Sequence, residues 1–320
     1  MRDLSEAAAS ALVSVYMKNF KFKGPLLLML TAFIWGSAFV AQRVGTEHIG
    51  PFTFNFIRSV LGGLVLIPVI LISGRKEAAK TGERGLPFYK DKTLLCGGML
   101  CGFVLCFAMF FQQFGMSDPG CTSGKAAFIT TLYIIFVPVV GLFMKKKPSP
   151  LVWISILVAA PGMYLLCMSG ELKLGWGDIS VLCSAVMYTA HIIVIDKFAP
   201  LTDCVKMSCI QFFTVALISL PCMLIFERIP SAQSLVQCWL PLAYAGIMSS
   251  GVAYTLQIIG QKYTPVSVAP LLMSLESVFA AIMGWILINE TMTADQIIGC
   301  VMIFGAVILA QVPAPKRKNK

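Results

Sequence analysis

Apolar residues come in long runs along this chain, separated by short polar breaks. The runs fall at about residues 24–43, 52–72, 93–114, 120–144, 150–168, 176–195, 207–226, 236–258, 265–288 and 294–312. Roughly 20 apolar residues cross a bilayer core of about 30 Å. Each run therefore predicts one membrane-crossing helix, and the fold class expected is an all-α membrane protein with ten transmembrane helices. One carboxylate, Glu276, interrupts the ninth run. At 1.5 Å per residue it lies roughly 16 Å from the start of that run, near the midplane. An ionisable group there is expensive and marks a functional site by default.

Composition agrees with the pattern. The chain of 320 residues is 58% hydrophobic and 12% charged, against about 25% charged in soluble domains. The formal net charge of +10 would suggest nucleic acid in a soluble chain. Here its placement matters more, because cytoplasmic loops collect Lys and Arg. With ten spans and the N-terminus inside, 20 of the 25 basic residues fall on the inner side. Only Arg43, Lys125, Lys173 and Arg228 fall outside, and Arg58 alone lies within a span. This bias predicts that both termini are cytoplasmic and gives no reason to expect a nucleic-acid partner. Residues 1–23 read as a cytoplasmic tail or short surface helix rather than a signal peptide, because Lys18, Lys21 and Lys23 follow the weakly apolar part. The 11 cysteines are scattered without a C-x-x-C, so they read as small packing residues and no metal site is expected.

The chain also repeats itself. A shift of 143 residues lays Ala126–Leu165 on Ala269–Ile308 without a gap, matching Ala126/Ala269, Leu132/Leu275, Phe136/Phe279, Gly141/Gly284 and Gly162/Gly305 among others. The joint is basic in one copy, Lys145-Lys146-Lys147, and falls on Ile288-Asn289-Glu290 in the other. A shift of 145 gives a shared Q-x-x-G at Gln112 and Gln257. Five spans per half would invert the second half, the arrangement of many secondary transporters, whose sites lie near the midplane between repeats. The division expected is a tail 1–23, a first repeat 24–168 with a charged loop 73–92, a second repeat 169–312, and a basic tail 313–320.

Several motifs in order carry a family resemblance. Phe33-Ile34-Trp35-Gly36-Ser37-Ala38-Phe39-Val40-Ala41-Gln42-Arg43 resembles the first-helix signature of the EamA family in the drug/metabolite transporter superfamily. Gly50-Pro51-Phe52-Thr53-Phe54-Asn55-Phe56-Ile57-Arg58 resembles its second-helix entry, and Gly124-Lys125-Ala126-Ala127-Phe128-Ile129-Thr130 its fourth helix. Leu275-Glu276-Ser277-Val278-Phe279-Ala280-Ala281, with Asn289-Glu290 and Gly299, resembles the ninth and tenth. The resemblance implies a five-plus-five inverted repeat, a plasma (inner) membrane location, and export or exchange of small metabolites such as amino acids.

The polar residues within the runs are the site candidates. Glu276 reads as a proton carrier or ammonium partner, or as a structural ion pair or latch; its repeat mate is Tyr133. Arg58 and Lys125 would hold a substrate carboxylate, Arg bidentately; a fixed partner for Arg58 and snorkelling to water for Lys125 are the plainer roles. Ser250, Tyr254, Gln257 and Gln261 are spaced 4, 3 and 4 apart and share one helical face. Such a face turns toward protein or a water-filled cavity. Gln112 and Gln257 could grip a zwitterion near the two-fold axis. Trp35, Phe39 and Tyr188 would form an apolar wall. His191 is a proton-carrier candidate or a packed histidine with one partner. Asp178 reads as an N-cap, and Gly98, Gly102, Gly62, Gly63, Gly299 and Gly305 as points of close helix approach.

No G-x-S-x-G, H-E-x-x-H, Walker A or Rossmann pattern occurs, so no catalytic residue, enzyme activity or cofactor is expected. The expectation is a secondary active transporter that exports a small amphipathic metabolite by alternating access, with protons as the candidate coupling ion. The alternatives are an exchanger of phosphorylated or nucleotide-linked metabolites and a membrane-embedded protein that transports nothing.

Overall fold

The computed structural model describes residues 23–39, 41–42, 44–45, 48–81, 90–118, 120–121, 123–167, 175–288 and 292–312. The two tails (1–22 and 313–320), residues 82–89 of the charged loop and the Asn289-Glu290 joint lie outside these. All regular structure among the described residues is helical, as a bilayer requires when each backbone polar group must be satisfied within its own segment. The helices are α1 (Lys23–Phe39), α2 (Pro51–Thr81), α3 (Lys92–Met116), α4 (Ser123–Thr131), α5 (Tyr133–Phe143), α6 (Pro150–Cys167) and α7 (Trp176–Phe198). They continue with α8 (Cys204–Phe226), α9 (Ala232–Gln237), α10 (Trp239–Ala243), a π-helical stretch Tyr244–Ala253, α11 (Tyr254–Lys262), α12 (Ala269–Met273), α13 (Leu275–Ile288) and α14 (Ala294–Gln311).

Eight helical stretches among the described residues are long and apolar enough to cross a membrane, and the chain is a multi-pass integral membrane protein. Among the described residues the first run forms α1, and the ninth forms α12 and α13, Ala269 to Ile288, with a break at Ser274. The ninth is shortened at its start. Residues 265–268 form a turn closed by the Val268 N–H on the Pro265 carbonyl (2.9 Å). Pro270 falls in the first turn of α12, where its missing N–H costs no helical bond.

Three crossings are irregular, and in two of them a hydroxyl bonds back to the ladder beside the break. Between α4 and α5 the Leu132 N–H bonds to the Ile129 carbonyl (3.2 Å), while the Thr131 hydroxyl donates to the Ala127 carbonyl (2.7 Å). Between α12 and α13 the Ser277 N–H bonds to the Ser274 carbonyl (3.3 Å), and the Ser274 hydroxyl donates to Leu271 (2.8 Å). Hydroxyls that back-bond to carbonyls compete with the helical ladder, and the spacing tightens to three residues. The third irregularity, at Tyr244–Ala253, is a widening to i→i+5 bonding.

Small residues set the helix contacts. A Cβ at Gly102 would stand 2.5 Å from the Gln211 carbonyl oxygen on α8, and one at Gly299 would stand 2.5 Å from that of Gly162. Close backbone approach of this kind drives association where the hydrophobic effect between helices is absent. Gly305 differs from the sequence expectation: nothing lies within 4 Å of its Cβ position, so it makes no close approach. Gly102→Leu is expected to destabilise the protein by about 1–3 kcal/mol through overpacking. Gly305→Leu is expected not to lower the unfolding midpoint. Thermal unfolding of both variants in detergent checks this contrast, and equal losses would refute it.

One core cluster joins α5, α6, α12, α13 and α14 around Leu272, Val278 and Ile303. A second joins α2, α3, α8 and α11 around Leu105, Phe212 and Tyr254. Trp35 and Tyr188 pack against both. Outward faces carry exposed Leu71, Leu217, Val301 and Ile308, the pattern of a lipid-facing surface.

Candidate functional site

A small cavity lies where the two clusters meet. About 40 Å³ is open to water centres, room for roughly three waters. Its wall is Trp35, Phe39, Gln42, Arg58, Gln112, Thr130, Tyr133, Tyr188, Ser249, Tyr254 and Glu276. The residues come from α1 and the residues just after it, α2, α3, α4, α5, α7, the π-helical stretch, α11 and α13. No single helix forms it.

Arg58 supplies the cationic side. It is two turns into α2 and 3% exposed. Its Nε donates to the Ser250 hydroxyl (3.1 Å), Nη2 to the Ser249 hydroxyl (3.0 Å) and Nη1 to the Gln42 side-chain Oε1 (3.2 Å). All three acceptors are neutral, and no carboxylate among the described residues pairs with it. A guanidinium carries five N–H groups, so each terminal nitrogen keeps one without an acceptor among the described residues. A buried charge without an opposite charge is costly. The hydroxyls and the amide spread that cost and hold the fork in place.

Glu276 supplies the acidic side, 5% exposed. It sits in the first turn of α13, just past the break at Ser274. Its one partner among the described residues is the Tyr133 hydroxyl, which donates to Oε1 at 3.2 Å from the first residue of α5, just past the break at Leu132. Both residues thus stand where a helix is interrupted. Arg58 and Glu276 line one cavity without pairing with each other.

A hydrogen-bonded chain runs along the wall. Gln112 Nε2 donates to the Thr130 hydroxyl (3.2 Å), and the Tyr188 hydroxyl donates to Gln112 Oε1 (3.3 Å). Tyr188 and Tyr254 hydroxyls stand 3.4 Å apart. The Trp35 ring packs on Tyr254 at 4.7 Å between centroids, and its buried Nε1 has no partner among the described residues. Satisfied networks of this kind fix side-chain positions, and here they leave one indole donor unused beside the cavity.

Of the residues singled out from sequence, Trp35, Arg58, Gln112, Tyr133, Tyr254 and Glu276 meet at this cavity. Gln257 does not line it, although it is buried. His191 does not line it either: its Nε2 pairs with Gln211 Oε1 at 2.8 Å, and its ring packs 6.0 Å from Tyr254. The Lys125 side chain lies outside the described residues, although its backbone is in α4. Asp178 is not the N-cap of α7 but its third residue, and its carboxylate accepts the Gly175 N–H (2.7 Å). Gln42, Thr130 and Ser249 are wall residues that sequence reasoning missed. The π-helical stretch explains Ser249: wider turns rotate the face, so the 4-3-4 spacing no longer selects the cavity side. Gln42 and Thr130 lie within the first- and fourth-helix motifs, but nothing in those motifs marks them as wall residues.

Comparison with known proteins gives this geometry its context. The EamA-like transporter family matches residues 22–168 and again 175–311. An uncharacterized transporter of Archaeoglobus fulgidus is 28% identical over 89% of this chain and 84% of its own. The threonine/homoserine exporter RhtA of Escherichia coli is 28% identical over 90% of this chain and 89% of its own. A solved crystal structure, 18% identical, covers 90% of this chain and 96% of its own with a TM-score of 0.72, a likeness of fold. Helices and relatives together make this a multi-pass protein of the plasma membrane. The chain belongs to the EamA-like transporter family.

Proposed function

We propose that this transporter is a secondary active exporter of a small zwitterionic metabolite, an amino acid or close relative, working by alternating access. The observation that carries this reading is the unpaired opposition of Arg58 and Glu276 across one cavity. The guanidinium fork matches a carboxylate, and Glu276 matches an ammonium. The hydroxyl and amide chain through Gln112 and Tyr188 would position the ligand, and Trp35, Phe39 and Tyr254 would cover its apolar part. Export rests on the likeness to a relative named as an exporter. A phosphorylated metabolite is a poorer match, because the cavity holds one cation and one acid among its described residues.

The frame we infer is ten spans in two inverted repeats, 24–168 and 169–312, with both termini cytoplasmic. The double match of the family supports it. So does the pair Tyr133–Glu276, whose separation of 143 residues is the repeat offset itself. Residues related by a two-fold axis touch only beside that axis. Two glycine contacts also mirror each other: a Cβ at Gly177 would stand 2.8 Å from the Gly115 carbonyl oxygen, and one at Gly24 would stand 2.9 Å from that of Gly260. Irregular backbone at matched depths in both halves is the usual setting of a transport site.

The test is reconstitution in liposomes with a panel of labelled amino acids, including threonine and homoserine, beside their decarboxylated amines and sugar phosphates. Saturable flux of a zwitterion, competed by other zwitterions but not by the amines, is expected. Flux of sugar phosphates alone would overturn the substrate class, and no flux in any class would overturn the transport reading.

A further inference from the structure

A second and larger cavity, about 270 Å³ open to water centres, lies further along α5. Val137, Gly141, Lys146, Lys147, Asp196 and Ser267 are among its lining residues. Val137 follows Tyr133 by one helical turn, about 6 Å along the axis. The two cavities therefore open on successive turns of one helix.

The turn after α5 is built to present charge to this space. The Lys146 N–H bonds to the Gly141 carbonyl (2.8 Å) and the Lys145 N–H to Leu142 (3.0 Å). This is the closure of a Schellman motif, whose left-handed position usually carries glycine. Here Lys145 occupies it with φ of 60°, a conformation disfavoured for a residue with a side chain. The result places Lys146 against Asp196 of α7, with which it pairs. That pair is partly open to solvent, with side chains 47% and 18% exposed. Solvent screening makes such a pair weak, so either partner can be exchanged at little cost. Lys147 has no partner among the described residues.

We propose that this cavity is a second substrate site, on the face that carries Lys145–Lys147, and that it takes the same zwitterion before the central cavity does. The substrate carboxylate takes Lys146 and Lys147, while its ammonium takes Asp196. The internal pair opens by exchange, so no charge is stranded at any stage. The proposal rests on the transport reading for the identity of the ligand, but its charge chemistry can be tested without flux.

The experiment uses full-length Ser267→Cys in phosphatidylcholine liposomes. It reacts with an anionic or a cationic methanethiosulfonate, and the labelled peptide is followed by mass spectrometry. The anionic-to-cationic rate ratio is expected to exceed that of free cysteine several-fold, and to fall to that value when Lys146→Gln and Lys147→Gln are added. The amino-acid panel should slow labelling, and the decarboxylated amines should not. A ratio indifferent to the two lysines, or equal protection by the amines, overturns the site. If native protein transports while the ratio is indifferent, this inference fails and the transport reading stands. If the ratio behaves as expected but no compound is transported, the transport reading fails and the site remains as a zwitterion site.

Discussion

Arg58→Gln is expected to raise the half-saturation concentration for zwitterion flux by about 10- to 150-fold. The range follows from a hydrogen bond to a charged group being worth about 1.5–3 kcal/mol, with each 1.4 kcal/mol a factor of ten. The substitution removes the fork but keeps an amide that Ser249 or Ser250 can bond. It also removes a buried charge whose partners are all neutral, so the unfolding midpoint should hold or rise. Arg58→Lys keeps the charge but not the fork, and its half-saturation value should lie between the two. Initial-rate uptake into liposomes and thermal unfolding in detergent separate the possible roles. An unchanged half-saturation concentration with a lowered midpoint would reassign Arg58 to holding α2 against the π-helical stretch.

Much of this arrangement is legible in the amino-acid sequence, for a physical reason. A bilayer forces each crossing into a helix and penalises every buried charge. A lone Arg58 or Glu276 in an apolar run is therefore informative in a way that a surface charge is not. The repeat offset adds something composition lacks, since it pairs Glu276 with Tyr133, and the two side chains do touch. What periodicity does not show are departures from ideal helix. The breaks at Leu132 and Ser274 fall beside hydroxyls that bond back to the ladder, but Ser155, Thr189 and Thr214 do the same inside unbroken helices, so a hydroxyl in the sequence does not mark a break. The widened turn at Tyr244–Ala253 moves Ser249 onto the cavity wall, while Gln257 lies off it. Gly305 matches a small-residue pattern yet faces open space, because a glycine alone does not say which side of a helix meets a neighbour. The cavity wall draws on helices distant in sequence. Gln42 and Thr130 differ from packing residues only once those helices stand side by side.

Glu276→Gln is expected to abolish the response of flux to a pH gradient and to lower net flux at least about tenfold. The lower bound follows from losing a charged hydrogen bond to a substrate ammonium, worth about 1.5 kcal/mol or more. Exchange of substrate for substrate is expected to persist. A glutamine oxygen still accepts the Tyr133 hydroxyl, and an uncharged amide resembles the protonated acid in shape. Glu276 is placed to convert a change of charge into movement. It stands beside the α12–α13 break and bonds to the residue after the α4–α5 break. Its own backbone packs on α1, where a Cβ at Gly36 would stand 2.6 Å from the Glu276 carbonyl oxygen. In the ionised state the carboxylate has, among the described residues, a phenol alone as partner and calls for a cation; in the protonated state that need is gone. On the proposed function a proton and a substrate ammonium would compete for this one site, which would couple their movements in opposite directions. Flux of the most active amino acid, with an imposed pH gradient and with substrate on both sides, measures the two modes separately. Normal pH-dependent flux in the glutamine variant would remove Glu276 from coupling and leave it a latch to Tyr133. In that case Tyr133→Phe, which removes the latch and spares the acid, should impair net flux and exchange alike.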